Sequence, residues 1–116
     1  IILPMPLHPA RLKMRGFNQA LEIAKVIAKR RNIPLAPDIV QRLMETTPQA
    51  MLALDARHKN IKGAFSCDKD LRGQRIAIVD DVMTSGATLN ELAKILKRAG
   101  AAKVDAWVVT RAVTRY

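Results

Sequence analysis

In 116 residues, Lys and Arg outnumber Asp and Glu by 20 to 10, which leaves a formal charge of +10. A chain of this length makes one domain around one core, and a hydrophobic content of 49% is enough to build it. The lone Cys67 excludes an internal disulfide and a Cys-cluster zinc site, and no apolar run reaches the roughly 18 residues of a membrane span. Excess positive charge favours an anionic partner, either nucleic acid or a phosphorylated small molecule. The aromatics Phe17, Phe65, Trp107 and Tyr116 are too sparse to favour a stacking platform for single strands. One cysteine and the lack of a signal-peptide pattern fit a cytoplasmic protein.

The first five residues, IILPM, predict a buried strand closed by Pro4 and Pro6. LHPARLKMRG reads as a loop carrying Arg11, Lys13 and Arg15. Phe17, Ala20, Leu21, Ala24, Ile27 and Ala28 then fall at helical spacing, with Asn18 as N-cap and a stop before Pro34. Ile39 to Met44 predicts a short strand, and Ala64 to Cys67 another. The polar stretch between them allows a helical turn near Ala53 to Lys59 and stops at Gly63. DKDLRG is a turn before a strand from Arg75 to Val79. Leu89, Leu92, Ala93 and Leu96 set a helix over Thr88 to Ala99, ended by Gly100, and Val104 to Val109 is the last strand. Strands alternating with helices predict an α/β fold: a single domain with a mainly parallel sheet flanked by helices.

The chemistry gathers in IAIVDDVMTSGATL, Ile76 to Leu89. In a parallel sheet, ligands bind at the carboxyl ends of the strands, where Asp80 and Asp81 stand. Two adjacent carboxylates beside a buried strand need a partner. Acceptor-only when ionised, they suit the two hydroxyls of a ribose, or an Mg²⁺ shared with them. The loop Thr84-Ser85-Gly86-Ala87-Thr88 runs into a helix, whose first N–H groups and dipole end suit a phosphate monoester. Gly86 allows the tight turn. A helix capped by Ser or Thr after an acidic turn accounts for TSGAT taken alone; the longer string VDDVMTSGAT favours the ligand.

This string resembles the 5-phosphoribosyl-1-diphosphate (PRPP) motif of the type I phosphoribosyltransferases: an apolar run, an acidic pair, a spacer and a Thr-Ser-Gly-x-Thr loop. The resemblance implies that Asp80 and Asp81 hold the ribose hydroxyls as the catalytic pair, and that residues Thr84, Ser85, Gly86, Ala87 and Thr88 hold the 5-phosphate. It implies Mg²⁺ as cofactor, carried mainly by PRPP and only indirectly by Asp80 and Asp81. PMPLHPARLKMRGFNQA, with Thr47, Gln49, Leu52, Arg57 and Asn60 and Gly63-Ala64-Phe65 further on, is similar to the ComF/GntX (competence protein F) subgroup. That resemblance covers nearly the whole chain. The subgroup usually begins with a Cys-rich zinc-binding region, which these 116 residues lack, so residues 1–116 are read as a phosphoribosyltransferase-type domain and a fragment.

The diphosphate needs cations, and Arg11, Lys13 and Arg15 are the candidates; a solvated basic loop is the ordinary alternative. Thr47 to Asn60 reads either as a lid, with Arg57 and Asn60 contacting ligand, or as a plain surface loop. His8 is a weak site candidate, His58 an exposed histidine, and Met44, Met51 and Met83 packing residues. Arg111, after the last strand, can reach the binding edge and contact an acceptor; with Arg115 it can equally be solvated. Two functions stand at this level. One is transfer of ribose 5-phosphate from PRPP to an acceptor, with diphosphate released. The other is a non-catalytic module that binds PRPP or single-stranded DNA, in keeping with the competence resemblance. The sequence indicates neither the acceptor nor the oligomeric state.

Overall fold

A computed structural model of the chain describes residues 1–43, 63–83 and 86–111, at four of which, Pro9, Arg11, Arg15 and Arg111, it describes the backbone alone. The elements in chain order are β1 (Ile2–Pro4), α1 (Pro9–Arg15), α2 (Gln19–Arg31), β2 (Gln41–Arg42), β3 (Phe65–Ser66), β4 (Arg75–Met83), α3 (Ala87–Arg98) and β5 (Lys103–Arg111). β1, β4 and β5 form a parallel sheet with β4 in the middle. β2 and β3 pair antiparallel as a separate two-stranded ribbon. The domain is the expected single α/β unit, a parallel sheet flanked by helices.

The central strand explains why its sequence reads as an unbroken apolar run. Ile76 and Ile78 pack with Leu3 against Leu89, Leu92 and Leu96 of α3. Val79 joins Ile2 and Ala24 of α2 in a second cluster. Helices therefore cover both faces of β4, and alternate residues of IAIV are all buried. Burying a leucine side chain such as Leu92 or Leu96, both at 0% exposure, contributes about 1.5–3 kcal/mol each.

α2 starts and stops where expected. Asn18 Oδ1 accepts from Leu21 N–H at 3.4 Å, and Asn32 ends the helix in the left-handed region at φ 54°. Three elements differ from the sequence expectation. Residues 9–15 form helix α1 rather than a loop. His8 Nδ1 accepts from Ala10 N–H at 3.1 Å, Pro9 opens the helix, and Gly16 closes it at φ 77°. β4 runs on through Asp80 and Asp81 to Met83 because β5 pairs with it as far as Met83 and Arg111. β5 in turn includes Arg111, which was expected beyond the strand. The helical turn expected near Ala53 to Lys59 lies outside the described residues, as do Met44, Thr47, Gln49, Met51, Leu52, His58 and Arg115.

Candidate active site

β1 and β4 run parallel and α3 begins just after β4, so the carboxyl ends of two strands and the start of a helix meet at one edge. A cavity of about 200 Å³ opens there. The segment Met5–Leu7 and Asn18 line it together with Asp80, Asp81, Gly86, Ala87 and Thr88. The acidic pair and Gly86 to Thr88, the described part of the Thr84–Thr88 loop, thus line one cavity. Thr84 and Ser85 lie outside the described residues, as do Arg57 and Asn60.

The two acids are not equivalent. Asp80 Oδ1 accepts from the backbone N–H of Asp81 at 2.9 Å. Burial, followed by the neighbouring Asp81 carboxyl, pushes the Asp80 carboxyl up from 3.8 to about 7. The Asp81 N–H and the charge of Arg42 pull the other way but do not win. Near neutral pH Asp80 is therefore poised between acceptor and donor.

At the helix side, Gly86 is the N-cap of α3 with φ 80° and no capping side chain, and the first turn carries no acidic residue. The positive end of the helix is not neutralised from within, which suits an anion. A Cβ on Gly86 would meet only Met83 Sδ, at 3.9 Å, so the glycine is required by its left-handed backbone rather than by crowding.

Arg42 is a site residue that the sequence reading passed over. It lines the cavity from β2, the ribbon strand, and contacts on two sides help to hold it. Its Nη1 donates to the Pro6 carbonyl at 3.2 Å, and its guanidinium lies 5.4 Å from the centre of the Phe65 ring. QRL carries no motif, and the contact spans 36 residues, so only the fold shows it. Arg11, Lys13 and Arg15 belong to α1; Lys13 is exposed and does not line the cavity. The backbone of Arg111 ends β5 beside Met83, at the binding edge. His8 caps α1 and is committed to the Ala10 N–H.

The Phosphoribosyl transferase domain family matches residues 15–115. The chain belongs to this family. Among relatives of this phosphoribosyltransferase domain, Competence protein F of Haemophilus influenzae is 37% identical over 114 residues, 96% of this chain and 50% of the relative. The DNA utilization protein YhgH of Escherichia coli K12 is 34% identical over 110 residues, 95% of this chain and 48% of the relative. An Adenine phosphoribosyltransferase of Mycobacterium avium is 52% identical over 40 residues, 34% of this chain and 22% of the relative. The resemblance to the ComF group is thereby borne out. The domain spans about half the length of the ComF-type relatives it matches. Among the described residues, no helix is long and apolar enough to cross a membrane.

Proposed function

We propose that the domain binds PRPP and transfers its ribose 5-phosphate to an acceptor, with release of diphosphate, in the cytoplasm. The observation that carries this reading is the meeting of Asp80 and Asp81 with the start of α3, whose first turn carries no acidic residue, in one cavity. Asp80 and Asp81 hold the ribose 2′ and 3′ hydroxyls. The Thr84–Thr88 loop, with the amides of the first turn of α3, holds the 5-phosphate. Arg42, which lines the cavity, would screen the diphosphate there, with Arg11 and Arg15 of α1 as further candidates; Lys13 does not line the cavity. The transfer builds positive charge on the sugar as diphosphate leaves, so the residues have little covalent work. They orient the ring, place negative charge below it and exclude water. Arg111, Arg57 and Asn60 remain candidates for the acceptor side.

The donor set also bears on the cofactor. Among the described residues no group of three or more His, Cys, Asp or Glu could cage a metal. Asp80 and Asp81 would hold Mg²⁺ only indirectly, as an ion carried mainly by PRPP. There it would neutralise the leaving group.

A second reading rests on a different pole of the molecule. Lys29, Arg30 and Arg31 end α2, Lys97 and Arg98 end α3, and Arg75 and Lys103 start β4 and β5. All are exposed, and all lie at the sheet edge opposite the acidic pair. They complement the helix dipoles, and they also form a surface suited to the backbone of single-stranded DNA. The DNA utilization name of one relative agrees with that use.

Pyrophosphate release from PRPP, measured across a panel of nucleobases and amines, tests the first reading. Turnover that depends on both PRPP and an acceptor supports it. No release with any acceptor, together with salt-dependent oligonucleotide binding, would favour the second.

A further inference from the structure

The hydrogen bonds between β1 and β4 follow the parallel ladder up to the cavity and then stop. Ala77 N–H donates to the Ile1 carbonyl at 3.0 Å, and Met5 N–H donates to the Val79 carbonyl at 2.8 Å. The next rung of such a ladder runs from Asp81 N–H to the Met5 carbonyl. That rung is not made. Asp81 N–H turns to Asp80 Oδ1 at 2.9 Å, and the Met5 carbonyl accepts from Asn18 Nδ2 at 3.2 Å. Two side chains thus take the two halves of one missing backbone bond, and all four residues line the cavity.

We propose that Asn18 is a positioning residue that holds β1 away from β4 at the mouth of the site. A partly buried carbonyl needs a donor, and without Asn18 the donor that the ladder pattern offers the Met5 carbonyl is the Asp81 N–H. The strands would then zip up by one rung. Zipping would take the Asp81 N–H from Asp80, narrow the cleft and move the segment Met5–Leu7 toward the acidic pair. Asn18 is suited to this role because its amide divides the work. Oδ1 caps α2 by accepting from Leu21 N–H, while Nδ2 is left to donate across to Met5. The Pro6 carbonyl, next in the chain, is held in the same way by Arg42 Nη1 at 3.2 Å. The link between this spacing and ligand affinity rests on the PRPP reading given above; the spacing itself does not.

The test uses Asn18→Ser, which keeps a capping oxygen but loses the donor that reaches Met5, and Asn18→Asp, which keeps shape and cap but has no donor when ionised. Through-hydrogen-bond NMR coupling between the Asp81 amide nitrogen and the Met5 carbonyl carbon reports the zipped rung directly. It should be absent in the wild type and appear in either variant. PRPP affinity should fall roughly tenfold, the worth of about one hydrogen bond, while the melting temperature stays within about 2 °C. Coupling already present in the wild type, or no coupling and unchanged PRPP affinity in both variants, would overturn the proposal. If the wild type binds no PRPP, the functional reading fails, and the coupling alone decides the strand spacing.

Discussion

Replacing Asp80 by Asn should stabilise the empty domain above neutral pH, and progressively less as pH falls towards 4. The carboxyl is pushed from 3.8 to about 7 in the folded chain, chiefly by burial. A raised acid pKa means that the folded state keeps a proton that the unfolded state releases. The cost to stability is therefore absent below about pH 4, grows as pH rises through the window, and is complete above about pH 7. Each pKa unit corresponds to about 1.4 kcal/mol, so the roughly three-unit shift sets a ceiling of about 4 kcal/mol. Asp80 retains contact with solvent, which screens that figure down to about 1–2 kcal/mol. For a domain of this size, that is about 4–10 °C in melting temperature. Thermal melts of wild type and Asp80→Asn at pH 4.5 and pH 8 measure it. The variant should melt higher at pH 8 and gain only about a quarter as much at pH 4.5, while its PRPP binding falls. An equal shift at both pH values, or a lower melting point at pH 8, would refute the burial argument.

Gly86→Val should cost about 1 kcal/mol or more of stability, because Gly86 sits at φ 80°, and should abolish PRPP binding, since the loop can no longer hold its left-handed turn; calorimetry and melting curves check both, and normal PRPP binding would contradict the loop's role. Arg42→Gln should weaken PRPP and free diphosphate roughly tenfold while leaving ribose 5-phosphate binding within about twofold, as expected for a charge-assisted contact. Neutralising Arg11 and Arg15 should also cut PRPP affinity, whereas neutralising Arg30 and Arg31, at the far edge of the sheet, should leave it alone and weaken any oligonucleotide binding more steeply at low salt. Equal loss of PRPP binding in those two pairs would point to general charge rather than a defined diphosphate site.

How much of this was readable before the fold was known depends on the range of the interactions. IAIV was legible because helices cover both faces of β4, which writes an unbroken apolar run. α3 was legible because its leucines repeat on one side. α1 was missed because seven residues with exposed Leu12 and Met14 have no apolar period, although His8, Pro9 and Gly16 are sound cap signals. The extension of β4 through two aspartates runs against local strand preference; pairing with β5 overrides it. Asn18 reads only as an N-cap from sequence, because its second bond joins α2 to the end of β1 across 13 residues. Arg42 depends on a contact across 36 residues with Pro6, which no local pattern encodes.

The most direct measurement is calorimetric titration of PRPP into the wild-type chain and the Asp80→Asn/Asp81→Asn double variant, with and without Mg²⁺. Saturable one-to-one binding is expected in the wild type, strengthened by Mg²⁺. The double variant, which keeps the size of both side chains but loses their charge, should bind at least roughly tenfold more weakly and lose most of the Mg²⁺ effect. PRPP affinity and Mg²⁺ dependence unchanged in the double variant would contradict the account of the acidic pair, and no binding to the wild type would contradict the PRPP site itself.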